Sequence, residues 1–87
     1  MNREKFSVGS TVIHFKHELS KSSKMKYMYV IIGYALNTET EEQMVIYKSL
    51  WNGELYARPY DMFMSEVDRS KYPDIKQKYR FEIMNCY

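Results

Sequence analysis

The sequence predicts a mainly β domain: a small curled antiparallel sheet or SH3-like barrel of about five strands, with one short helical turn. Three observations carry that expectation. Apolar and polar residues alternate in runs of strand length, and Asn52-Gly53 is the strongest short hairpin signal a chain can carry. Aromatic residues, nine of them tyrosine, make up 16% of the 87 residues, well above ordinary usage and suited to β-structure and wet binding surfaces alike.

Each element follows from its residues. Residues 11–16, TVIHFK, put Thr11, Ile13 and Phe15 on one strand face and Val12, His14 and Lys16 on the other, an oily face and a chemically equipped one. Residues 18–26 hold three serines and three lysines and read as a solvated hairpin loop. Residues 27–36, YMYVIIGYAL, are apolar on both parities, with Met28, Val30, Ile32, Tyr34 and Leu36 on one and Tyr27, Tyr29, Ile31 and Ala35 on the other. Such a strand is covered on both sides, and in a domain with one thin core the second cover is a curled barrel wall or another subunit. Gly33 marks a bend or bulge.

Residues 37–42, NTETEE, form a polar turn, and 43–50 resume as a strand that meets its antiparallel neighbour through Asn52-Gly53. In that neighbour, residues 54–58, Glu54, Tyr56 and Arg58 share one face opposite Leu55 and Ala57. Pro59 has no N–H for a ladder, so it stops the strand; it also holds Arg58 extended. The same proline opens a helical turn over about residues 60–67, with Asp61 in the acid-favouring first turn and Met62, Phe63 and Val67 as apolar contacts. Residues 70–78 are mixed and basic with a turn at Tyr72-Pro73, and 79–84 form a last strand whose partner the sequence does not name.

The whole chain, 1–87, is one domain, because a chain this short buries only roughly 60 to 65% of the surface its unfolded form exposes. A net charge of +2, from 13 basic and 11 acidic residues, is far from what coating a nucleic acid demands, which disfavours general DNA binding. The single cysteine, Cys86, permits no intrachain disulfide and suits a reducing cytoplasm. The start, MNREKFSVGS, lacks the apolar core of a signal peptide, and the longest apolar run is too short to cross a bilayer, so no membrane partner is expected.

Catalytic and cofactor chemistry find little support. No Gly-x-Ser-x-Gly turn presents a nucleophile, and Cys86 lies in the tail. His14 and His17 stand three apart with no cysteine or histidine cluster to complete a metal site, and Gly9, Gly33 and Gly53 are each alone, so no phosphate-cradling loop exists. The expectation is a protein without catalytic residues, metal or cofactor.

The blocks His14-Phe15-Lys16, residues 29–35, Thr38-Glu39-Thr40, Val45-Ile46-Tyr47 with Leu50, Arg58-Pro59 with Met62-Phe63, and Arg80-Phe81 occur in an order and spacing that resembles the bacterial and phage family of small domains of unknown function numbered 1653. The likeness spans about residues 9–82, leaving 1–8 and 83–87 as periphery. His17 stands where that family usually has glycine, and Thr38 where serine is more frequent, which predicts a rebuilt first loop. The resemblance implies a small β-rich fold and no reaction.

Among these blocks and beside them, His14, Lys16, Glu39, Tyr47, Trp51, Tyr56 and Arg58 are the candidate ligand-binding residues. Arg58 can fork onto a carboxylate or phosphate, Tyr56 and Trp51 can stack a planar ring, and His14 and Lys16 add donors. That set suits a small anionic, nucleotide-like ligand. The plainer reading pairs Arg58 with Glu39 or Glu54 as an internal strut, with His14 structural and Tyr56 a strand residue.

A chain this small builds a pocket most readily between subunits, so a homo-oligomer, with a symmetric dimer favoured, is expected. In the cell it would be a non-catalytic binding module, a sensor or a phage-encoded sponge for a host immune signal. The alternative is an SH3-like adaptor that reads protein or structured RNA.

Overall fold

In the computed structural model, which describes residues 3–84, five antiparallel strands form one sheet in the order β4-β3-β2-β1-β5. The strands are β1 (Thr11–His14), β2 (Met28–Leu36), β3 (Gln43–Ser49), β4 (Leu55–Pro59) and β5 (Phe81–Ile83), with a single helical turn α1 (Tyr60–Phe63) after β4. No helix among the described residues is long and apolar enough to cross a membrane.

The sheet curls because β2 carries a bulge. Ile31 pairs with Tyr47 and Gly33 with Ile46, so Ile32 is left without a partner and the strand changes parity there. Gly33 marks the irregularity as its isolation in the strand suggests. The parity expected from simple alternation is therefore split: Tyr29 and Ile31 face the core before the bulge and Tyr34 after it, while Met28 and Val30 lie on the reverse face. A continuous period of two cannot register the extra residue.

The faces of β1 also differ from expectation. Val12 pairs with Tyr29 and His14 with Phe81, which puts the supposedly equipped side on the inner face, while Ile13 on the other side is buried as well. His14 then ends the strand, and a 3-10 helix, Phe15–Leu19, begins with the His14 side chain as its cap. The expected solvated loop thus contains this helix and a second one, Lys24–Tyr27, with its lysines and serines largely exposed.

One hydrophobic core lies inside the curl, built on Val12, Ile31, Val45, Tyr47, Phe63 and Phe81. Phe63 reaches it because Pro59 is both the last residue of β4 and the residue capping α1; the helix stops at Phe63 rather than running on to Val67. Its ring lies flat on Phe81 with centroids 4.0 Å apart. Phe81 of one edge strand also touches Tyr47 at 5.5 Å, and the Arg58 guanidinium carbon of the other edge strand stands 5.8 Å above the Phe81 ring.

The side chains of the two edges therefore meet across the concave face, yet β4 and β5 share no ladder and the sheet stays open. Closure as an SH3-like barrel does not occur: β5 is only three residues long and pairs with β1 alone, and β4 ends in a proline.

The segment between α1 and β5 has little regular structure and is held by side chains. The Glu18 carboxylate accepts from the backbone N–H groups of Lys76 (2.9 Å) and Gln77 (2.8 Å), and Glu82 does the same for Lys78 and Tyr79 (2.9 Å each). Buried Gln77 donates through Nε2 to the carbonyls of Ile13 and Tyr79 at 3.0 Å each. His17 lies 3.2 Å from Gln77 Oε1 through its Nε2. At the other end of the chain Phe6 packs edge-on against Phe63, and Arg3 donates to the carbonyls of Met64 and Phe81.

Candidate functional site

The chain contains four arginines, and their partners divide them into two kinds. Arg3 spends both ends of its fork on carbonyls, Met64 at 2.9 Å and Phe81 at 3.0 Å. Arg69 does likewise, on Ile75 and Gln77. These two are fasteners. Arg58 and Arg80 are different, for each makes its side-chain hydrogen bond through Nε alone: Arg58 to the Tyr47 hydroxyl at 3.2 Å and Arg80 to Ser65 Oγ at 3.3 Å. Among the described residues the Nη ends of both forks have no partner, and since no buried side-chain nitrogen or oxygen is left unsatisfied, those ends open onto solvent.

The two open forks stand within electrostatic reach of one another although 22 residues and the whole width of the sheet separate them in the fold's connectivity. Burial lowers the pKa of Arg80, and Arg58 is the next largest influence, acting in the same direction. The groups that oppose it are the hydroxyls of Tyr47 and Tyr72; no carboxylate is among them. Arg58 likewise makes no hydrogen bond to Glu39 or Glu54 among the described residues, so the strut expected as the plainer reading is not formed. Two like charges, partly buried and close, are left without an acid between them.

Tyrosines floor this site. Tyr47 is buried and stands 5.2 Å from the Tyr29 ring and 5.6 Å from that of Tyr56, which is itself 38% exposed. Register explains the grouping: Tyr56 pairs with Tyr47 and Arg58 with Val45, so Tyr56 and Arg58 share the inner face as alternation predicts. An aromatic face open to solvent beside two open guanidinium forks can hold a planar group carrying an anion. Two depressions lie elsewhere, one of about 320 Å³ beside α1 lined by Arg3, Asp61 and Lys78, another of about 260 Å³ lined by Leu19, Tyr72 and Pro73.

The remaining candidates do not converge here. Glu39 is exposed in the turn between β2 and β3, and Trp51 in the turn between β3 and β4, at opposite ends of the sheet. Lys16 is exposed on the first 3-10 helix, close enough to His14 to bear on its titration. Arg80, Tyr29 and Phe81 are site residues that the candidate set omits. Arg80-Phe81 was visible as a block, but only the pairing of β5 with β1 brings it opposite Arg58.

His14 belongs to the foundation of the site. It is stacked on Phe15 at 4.6 Å and meets Phe81 edge-on at 4.9 Å, and its Nδ1 accepts from the Lys16 N–H at 3.1 Å, which leaves the proton of the neutral ring on Nε2. Burial, then the positive charges of Arg58, Arg80, Lys16 and His17, push its pKa down from 6.5 to about 3. The folded state therefore binds fewer protons than the unfolded state between those values, and stability is full above pH 6.5 and falls as pH drops toward 3. In proton NMR the His14 ring resonances should hold still from neutral pH down to about 4.5, while acid denaturation begins within that window; His14→Phe should weaken the acid sensitivity. A His14 that titrates near 6.5 in the folded protein would contradict the buried, cation-flanked placement.

No curated protein and no solved structure is significantly similar to the chain. A family model does match, over residues 11–83, which runs from the first residue of β1 to the last of β5 and takes in both free arginines. By that match the chain belongs to the family described as a protein of unknown function, DUF1653.

Proposed function

We propose that the domain is a binding module for a small anionic ligand bearing a planar group, such as a nucleotide derivative, held in the open seam between β4 and β5. The observation that carries this reading is the pair of neighbouring, partly buried arginines whose forks are unspent. A phosphate or carboxylate that accepts from both would relieve their repulsion and complete their hydrogen bonding, while the planar group lies on Tyr56. Arg58 is presented with little freedom left to lose, because Pro59 fixes the end of its strand and Tyr47 takes its Nε–H.

The ligand is bound and released unchanged. A free-standing domain of this kind acts by depletion or as a sensor, and depletion of a host immune signal by a phage-encoded copy is one such use. The competing adaptor role binds protein or structured RNA; RNA phosphates would also use the free forks, so retention of a small ligand is what separates the two readings.

The reading includes a symmetric dimer. On the reverse face, register puts Met28, Val30, Met44, Ile46, Leu55 and Ala57 together around Lys48, which pairs with Val30 and Leu55, and Leu55 is 61% exposed. Covering that face with a second copy would remove apolar surface from water.

Two measurements test the proposal. Candidate nucleotide-derived signals, including cyclic dinucleotides and cyclic ADP-ribose isomers, are incubated with the protein, filtered, and recovered by heating. The expected result is depletion in proportion to protein, return of the ligand intact, and a loss of about 2 to 4 kcal/mol of binding for Arg58→Ala and for Arg80→Ala at nearly unchanged melting temperature. Product in excess of one equivalent per site would establish turnover instead, and depletion of no candidate would favour the adaptor. Light scattering should give about twice the 10.6 kDa chain mass, with Leu55→Glu reducing it to one chain without unfolding; a wild-type monomer at high micromolar concentration would remove the dimer from the account.

A further inference from the structure

We infer that the end of the molecule remote from Arg58, formed by the β3–β4 turn and the second 3-10 helix, is a contact point for single-stranded nucleic acid, with Trp51 as the stacking platform. This surface is distinct from the seam and does not depend on what the seam binds.

Trp51 is the chain's single tryptophan and is 54% exposed, yet its backbone is firmly placed. The buried Ser49 hydroxyl accepts from the N–H groups of Trp51 (3.1 Å) and Asn52 (3.3 Å), and Gly53, with φ of 73°, closes the turn by donating to the Ser49 carbonyl at 2.9 Å. Leu50 N–H is bonded to the Met28 carbonyl at 3.1 Å, which locks the turn against the end of the helix Lys24–Tyr27. The exposed indole is thus carried on a backbone that the turn's own hydrogen bonds hold in place.

Charge is concentrated beside it. Residues 16–26 contain Lys16, Lys21, Lys24 and Lys26 against Glu18, whose two carboxylate oxygens are taken by the N–H groups of Lys76 and Gln77, and the β3–β4 turn itself adds one acid, the exposed Glu54. The Lys26 ammonium sits 5.2 Å from the centre of the Trp51 ring. The opposite end of the sheet has the reverse sign, with Glu39, Glu41 and Glu42 in the β2–β3 turn. A net charge of +2 for the chain therefore hides an uneven distribution, with the four lysines of residues 16–26 outnumbering Glu18 and Glu54 at the tryptophan end.

An exposed aromatic face with lysines around it matches what an unpaired strand offers: a base to stack, and phosphates on either side of it. A base on the free face of Trp51 leaves Lys26 and Lys24 within reach of flanking phosphates. Duplex fits poorly, since its bases are already stacked and one convex turn reaches few phosphates. An anionic bilayer is the competing partner, but it would require the ammonium parked on the indole to enter the interface with it.

The tryptophan is its own reporter. Oligothymidylate and oligouridylate titrated into the full chain should quench Trp51 fluorescence, and affinity should fall about 20-fold between 50 and 200 mM salt if about three phosphates are neutralised. Measured by anisotropy of a labelled oligonucleotide, Trp51→Ala and the double substitution Lys24→Glu, Lys26→Glu should each weaken binding about tenfold or more, whereas Glu41→Gln, in the β2–β3 turn, should leave it unchanged. Absence of quenching at low salt overturns the inference. So does binding that survives the lysine substitutions, or a blue-shifted emission with anionic phosphatidylglycerol vesicles and none of the oligonucleotide response.

Discussion

Everything in this small domain leans on the ring of Tyr47. It is touched by Tyr29 from β2, Tyr56 from β4, Phe81 from β5 and Phe63 from α1, at centroid distances between 5.0 and 5.6 Å. Four elements from three separate parts of the chain are therefore registered by one side chain. Rings bury large area for few rotatable bonds, which matters where a chain is too short to build a thick aliphatic core. The Tyr47 hydroxyl, at the centre of this cluster, accepts from Arg58 Nε–H at 3.2 Å.

That last bond turns a packing device into a functional one. A guanidinium beside a ring gains from the ring face, and here Arg58 lies over Phe81 while bonded to Tyr47, so its position is fixed without a carboxylate. Arg80 arrives from the far edge, with its backbone N–H bonded to the Ser65 carbonyl and its Nε to the Ser65 hydroxyl. Both are held by neutral groups. The positive potential that results is felt by His14 beneath, whose pKa is driven down to about 3 by burial and by these same arginines. A fold that wanted struts would have supplied acids, as it does elsewhere: the carboxylates of Glu18 and Glu82 each grip two backbone N–H groups.

Local features were legible in the sequence and non-local ones were not. Asn52-Gly53, Pro59 and Gly33 mark a turn, a strand end and a bulge through constraints that each residue carries by itself, and the face shared by Tyr56 and Arg58 follows from alternation alone. The effect of the bulge on parity was not read, because alternation has no place for an unpaired Ile32. Grouping Glu39 and Trp51 with Arg58 failed for a geometric reason: successive turns of an antiparallel meander fall at opposite ends of the sheet. Arg80 was missed because the partner of the last strand is β1, and nothing within residues 79–84 encodes a neighbour so far back in the chain.

The central claim is that Arg58 and Arg80 are like charges held together in readiness for an anion, and a double-mutant cycle on stability tests it most directly. Arg58→Met and Arg80→Met, alone and combined, keep much of the packing while removing charge, and are compared by denaturant unfolding at low salt without ligand. The account predicts an unfavourable coupling between the two arginines, so that either single substitution relieves a repulsion and the pair of substitutions costs more than the sum of the singles. That coupling should shrink as salt is raised. A favourable coupling, with each single substitution destabilising by more than about 2 kcal/mol, would show the arginines to be part of the scaffold and would contradict the account.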